Sequence, residues 1–205
     1  MRKFVPPIFA ILLAFFMVAI PSLYYRSYSI AFRNFRVVEP GVLYRGGQMT
    51  VPRLERVVAT HGIRTIVCLR GETDAVDKDE EAWAKANHLN FVRMAPLPWV
   101  ADANGVIPAE VNARTFQNVM KDPKNHPVLV HCFAGVHRTG IMCAIFRIDF
   151  QGWTTNEALN EMRANGYAIL DDHEDILGYF AQRRSPRFDR IRSAIPVSRR
   201  AVIDP

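Results

Sequence analysis

The chain has 205 residues, a formal net charge of +6, an apolar fraction of 49% and a charged fraction of 22%. These ordinary values exclude wholesale disorder and fit one domain with appendages. Three cysteines are too few for a disulfide-stapled scaffold, and no Cys-x-x-Cys pair or His/Cys cluster at ligand spacing points to a structural zinc site.

Charge is unevenly spread. Residues 1–36 carry five basic residues and no acid, residues 183–205 carry seven arginines against two aspartates, and the segment between them is net acidic. An acidic body is the wrong surface for nucleic acid, whereas basic flanks suit an anionic membrane surface. The C-terminal arginines suit a solvated tail equally well.

From Phe4 to Tyr25 no charged residue occurs, and Ile8 to Ile20 is unbroken and apolar. With Pro6 and Pro7 in a first helical turn and Tyr24 and Tyr25 at headgroup level, this stretch predicts one N-terminal transmembrane helix, an uncleaved single-pass anchor. The rival is a signal peptide, which lacks a clean small-x-small cleavage site here. Arg2 and Lys3 hold the N-terminus inside and Arg26, Arg33 and Arg36 pull the other flank the same way, so the positive-inside rule is nearly balanced. An N-in anchor makes the following domain extracytoplasmic, with the cytoplasmic face as the alternative.

From Val37 the pattern alternates between helix and strand. Pro52 to His61 predicts a helix stopped by Gly62, Arg64 to Leu69 a buried strand, Asp79 to Asn87 a helix and Phe91 to Met94 a short strand. Asp74, Asp77, Asp79, Glu80 and Glu81 read as a solvated acidic turn. A Pro/Gly-rich loop around Asp102 leads to a helix from Pro108 to Met120. Pro127 to Val130 predicts a strand, and a helix is expected near Arg138. Thr154 or Thr155 caps another helix ending at Gly166, and Asp171 to Gln182 forms the last. Strands separated by helices predict an α/β fold with a central, mainly parallel sheet flanked by helices. The chain thus divides into an anchor and linker (1–36), an α/β domain (37–182) and a basic tail (183–205).

The chemistry concentrates in PVLVHCFAGVHRTG, residues 127–140. A buried strand runs into Cys132, Gly135 allows a tight loop, and Thr139-Gly140 opens an apolar helix. Strand, tight loop and helix N-terminus form a geometry that cradles phosphate with backbone N–H groups. Such a ring should lower the pKa of Cys132, and Arg138 offers a planar fork for two phosphoryl oxygens. Thr139 can donate to the sulfur.

HCFAGVHRTG resembles, over all ten residues, the phosphate-binding signature of cysteine-dependent protein tyrosine and dual-specificity phosphatases. Leu43 to Gln48, Ile66 to Arg70 and Gln151 to Trp153 through Glu161-Met162 resemble small atypical bacterial or plant and fungal members. The resemblance implies a protein tyrosine phosphatase-like fold and metal-independent, cofactor-free hydrolysis of phosphomonoesters through a phosphocysteine. It further implies Cys132 as nucleophile, Arg138 and the loop residues Phe133, Ala134, Gly135, Val136 and His137 as the phosphate site, and His131 as an organiser of the loop. The family's acid-base aspartate lies some thirty residues before the cysteine; Asp102 is at that spacing, with Glu110 as the fallback and a plain turn-forming role as the alternative. The implied substrates are phosphoproteins carrying phosphotyrosine or phosphoserine/threonine. The loop has no lysine, which argues mildly against inositol lipids. Competing readings are a phospho-ligand-binding module without turnover, a phosphoinositide phosphatase and a rhodanese-like sulfur transferase. Cys68 and Cys143 read as core thiols; a protective disulfide between Cys68 and Cys132 is the sharper alternative.

Overall fold

The computed structural model describes residues 12–23, 33–71 and 75–183. Five strands form one sheet in the order β1-β2-β5-β3-β4: β1 (Arg36–Glu39), β2 (Leu43–Gly47), β3 (Thr65–Cys68), β4 (Asn90–Arg93) and β5 (Val128–Cys132). The last four run parallel, and β1 pairs antiparallel with β2 at one edge. The expected mainly parallel sheet is therefore mixed at its edge. β2, β3 and β5 are buried along their whole length, as parallel strands covered on both faces must be.

Two apolar layers sandwich this sheet. On one side, α2 (Val51–His61) and α3 (Ala75–Ala86) cover Ile66 and Leu129 with Leu54, Val57 and Ala84. On the other, α4 (Glu110–Lys121), α5 (His137–Gln151), α6 (Thr155–Ala164) and α7 (Glu174–Gln182) pack around Val67, Val130 and Phe116. The central helix is α5. Nine of its residues are buried, from Thr139 to Ile148, so it is apolar almost all round and shows little amphipathic periodicity.

Local chemistry sets the helix ends. Gly62 stops α2 at φ 64°, a left-handed conformation that glycine adopts without penalty. Thr154 caps α6 in a capping box with Glu157: Glu157 N–H donates to the Thr154 hydroxyl, and Thr154 N–H donates to Glu157 Oε2 at 2.8 Å. The predicted last helix is interrupted: a 3-10 turn, Leu170–Asp172, ends at His173 before α7 begins.

Residues 12–23 form a helix, α1, in which Phe15, Phe16, Met17, Val18, Ile20 and Leu23 are more than half exposed. Among the described residues no helix is long and apolar enough to cross a membrane. The rest of the predicted anchor, residues 4–11 and 24–25, lies outside the described residues, as do Asp74 and the tail from 184 onward.

The acidic segment requires correction. Helix α3 starts at Ala75, four residues earlier than predicted, and turns Asp77, Glu80 and Ala84 inward. Asp77 and Glu80 are fully buried and not part of a solvated turn. Burial of carboxylates requires partners, and both have them. Asp77 accepts from Gln48 Nε2 at 2.9 Å and pairs with Arg70 at 3.2 Å, while Glu80 lies 2.8 Å from His131.

Candidate active site

Strand β5 delivers Cys132 to the C-terminal edge of the sheet, and residues 133–136 turn directly into the N-terminus of α5. The turn is possible because Gly135 has φ 73° and no side chain. A Cβ there would meet Gly46 C and Gly47 N of β2 at 2.4 Å, well inside any real contact. Strand β2 is thus a floor on which the loop rests.

Cys132 is buried, and burial alone would push its thiol up; the Thr139 hydroxyl and the N–H groups of Thr139, Gly135 and Val136 converge on the sulfur and bring it below the ordinary thiol range. Hydrogen bonds to the charged form favour that form, so the loop biases Cys132 toward the thiolate. The macrodipole of α5, whose N-terminus faces the sulfur, works in the same direction.

Arg138, exposed at the start of α5, is steadied by a hydrogen bond from its Nη1 to Leu69 O at 3.2 Å. Phe133 is 57% exposed at the mouth, between the guanidinium of Arg33 at 4.8 Å and that of Arg70 at 5.3 Å from its ring centre. The His137 ring packs tilted at 57° against Tyr167, with ring centres 4.5 Å apart. Burial, then the charges of His173 and Arg138, hold its imidazole below the usual histidine range. A cavity of about 370 Å³ opens beside Arg138 and His137, lined by Met94, Pro96 to Trp99, Tyr167 and Ile169.

His131 faces the other side of the sheet from that cavity, into a buried cluster with Glu80 and Cys68. Burial would push its imidazole down, but the Glu80 carboxylate 2.8 Å away and the Cys68 sulfur raise it well above the usual histidine range. Cys68 pairs in register with His131, not Cys132, and Arg93 Nη1 approaches its sulfur to 3.7 Å. The ligand atoms of Cys68, Glu80 and His131 lie within 4.8 Å of one another, yet the neighbouring Arg93 cation makes this a poor cradle for a metal ion. Cys143 is buried in α5, and burial pushes its thiol up to about 11.

Asp102 is not part of this constellation. It is exposed in the loop after β4, and its Oδ1 accepts from the N–H groups of Asn104 and Val106, each at 2.9 Å, as an Asx turn does. It does not line the cavity beside Arg138. Glu110, at the start of α4, borders a different, open depression with Arg114, Tyr179 and Arg183.

Sequence reasoning missed Asn34, Arg45 and Gln48 as loop-supporting residues and Asp77 and Glu80 as buried acids. A signal existed for the latter pair: with Ala84 they fall at i, i+3 and i+7, a core-facing stripe that apolar counting alone does not register.

Comparison with known proteins agrees with this architecture. A family model described as DSP-PTPase phosphatase fused to NAD+ kinase matches residues 32–174. The dual specificity protein phosphatase TpbA of Pseudomonas aeruginosa is 36% identical over 104 residues, which cover 51% of this chain and 45% of TpbA. The chain therefore spans less than half the length of that curated relative. An inositol diphosphatase of Arabidopsis thaliana is 29% identical over 134 residues, 64% of this chain and 62% of its own length. Among solved structures, a Cys-to-Ser variant of TpbA in complex with phosphotyrosine has a TM-score of 0.56 and 25% identity, covering 73% of this chain and 84% of that one.

Proposed function

The chain belongs to the DSP-PTPase phosphatases, and on that premise we propose that it hydrolyses phosphomonoesters through a phosphocysteine formed on Cys132. The observation that carries this reading is the convergence of the Thr139 hydroxyl and three backbone N–H groups on one buried sulfur. A thiolate inside an anion-binding ring is a nucleophile already aimed at a bound phosphoryl group. The sulfur attacks phosphorus, and the leaving oxygen departs with the proton it is given. Arg138 and the amides of residues 133–138 hold the equatorial oxygens, and such preorganised donors supply the largest share of the rate. Water then attacks the phosphocysteine, and inorganic phosphate leaves as the thiolate re-forms with the Thr139 hydroxyl upon it.

Asp102 serves as acid and then as base. Both hydrogen bonds of its turn go to Oδ1, so Oδ2 remains to meet the leaving oxygen when the loop closes over bound substrate. Cys132→Ser abolishes p-nitrophenyl phosphate hydrolysis, and Asp102→Asn lowers kcat about a hundredfold while flattening the acid-dependent limb of its pH profile. Undiminished turnover by the serine variant rejects the phosphocysteine. A phosphopeptide retained but never released as inorganic phosphate would favour the binding-module reading instead.

Phosphoproteins are the proposed substrates. The apolar and aromatic walls from Met94 to Trp99 and Tyr167 beside Arg138 suit the ring of phosphotyrosine, the ligand of the TpbA complex. A second reading has its own support: exposed Arg33 lies over Phe133 at the mouth, where a further phosphate of an inositol phosphate would find positive charge. The proposed setting is a membrane, with the run from Ile8 to Ile20 as a single-pass anchor and the catalytic domain on the extracytoplasmic side.

A further inference from the structure

The loop 132–138 is held from behind as well as occupied from the front. Three groups outside it take up its carbonyl oxygens in succession. Gln48 N–H donates to Phe133 O at 3.1 Å, Asn34 Nδ2 donates to Ala134 O at 2.9 Å, and Arg45 Nη2 donates to Gly135 O at 2.9 Å, with Val136 O at 3.5 Å. A trans peptide is planar, with its C=O and following N–H pointing in opposite directions. Fixing Ala134 O from behind therefore aims Gly135 N–H forward, and fixing Gly135 O aims Val136 N–H forward. Those are two of the amides that meet the Cys132 sulfur.

We propose that Asn34 and Arg45 are positioning residues of the active site, orienting the two central peptide planes of the phosphate loop so that their N–H groups converge on the nucleophile. Arg45 suits the task because it is almost wholly buried and its long side chain brings Nη2, with two N–H groups, within reach of two successive carbonyls. Its place on β2, opposite Val130 of β5, sets it beneath the loop. Asn34 adopts φ 60°, a left-handed conformation that asparagine tolerates better than most residues. This gives a physical purpose to the Arg45-Gly46-Gly47-Gln48 stretch: Gly47, whose Cβ would meet Phe133 O at 2.8 Å, lets the loop approach, and the flanking side chain and amide hold it.

The inference rests on Cys132 as the nucleophile, but its test reads the sulfur directly. Alkylation of the full-length chain by iodoacetate, followed by mass spectrometry across pH, gives the thiolate fraction of Cys132 without turnover. Asn34→Ala and Arg45→Lys should each move the alkylation midpoint up by about one pH unit and lower kcat for p-nitrophenyl phosphate about tenfold, with a smaller change in KM. Asn34 is only half-buried, so Asn34→Ala keeps the test alive if Arg45→Lys fails to fold. An unmoved midpoint and unchanged kcat in a variant with wild-type Tm overturn the proposal. Failure of the underlying reading would show elsewhere, as turnover that survives Cys132→Ser.

Discussion

Glu80 shows how a single buried carboxylate can govern a neighbour's charge. It lies 2.8 Å from His131, both side chains are buried, and the imidazole is held well above its ordinary value of 6.5. The native state thus keeps a proton that the unfolded chain releases above about pH 6.5. The stabilisation is complete below that pH and is lost as pH rises through the native value. Glu80→Gln strands an unneutralised histidine in the core and should cost on the order of 3 kcal/mol at pH 6, roughly 10 °C in Tm. Its Tm should also lack the decline between pH 6 and pH 9 that the raised imidazole predicts for the wild-type chain. Thermal melts at both pH values check this, and parallel slopes would contradict the ion pair. Residues of this kind explain why sequence reading ran out at the residue scale. Cys132, Arg138 and Gly135 sit in one contiguous signature whose chemistry is local. Glu80 and Arg45 act on His131 and Gly135 from 51 and 90 positions away in sequence, a distance that no local pattern encodes.

Elements were legible in proportion to how far their own sequence decides them. The helices α2 and α6 carry their stops and caps in sequence, at Gly62 and Thr154, and β3 and β5 are β-branched runs. Strands β1 and β2 were not foreseen as elements. β1 is an edge strand with Arg36 and Val37 exposed, and β2 contains an arginine and two glycines, a composition poor in strand formers. β2 is a strand because it is clamped between β1 and β5 and must be bare where the loop lies on it. The glycines of these elements accordingly differ in kind. Gly62→Ala meets no atom within 4 Å and should cost only the left-handed strain, about 1 kcal/mol by urea titration, with activity intact. Gly135→Ala drives a methyl into the β2 backbone and should remove activity at least about a hundredfold. Equal stability losses and equal activities for the two variants would refute this account of β2 as the loop's floor.

At the scale of the whole molecule, the apolar N-terminal run and the packed body obey different rules. Every helix from α2 to α7 buries side chains in the body of the fold, whereas α1 exposes Leu13, Phe15, Phe16 and Val18. Exposed apolar surface of that extent marks an interaction site, and the proposed partner is the bilayer. The full-length chain should remain with the membrane pellet after an alkaline carbonate wash, and Leu13→Arg combined with Phe16→Arg should release it; each charge costs about 3 kcal/mol at a bilayer centre. Release of the wild-type chain would exclude the anchor.

The aromatic ring of Phe133, near the guanidinium groups of Arg33 and Arg70, gives the proposed active site an approach path as well as a rim. The segment behind it is net negative, and Arg70 is already paired with buried Asp77, so exposed Arg33 is the guanidinium that draws a dianion toward the entrance. Capture of dilute substrate should weaken as ionic strength rises, while turnover at saturation does not. Medium salinity then becomes a control on flux that acts before any bond is made.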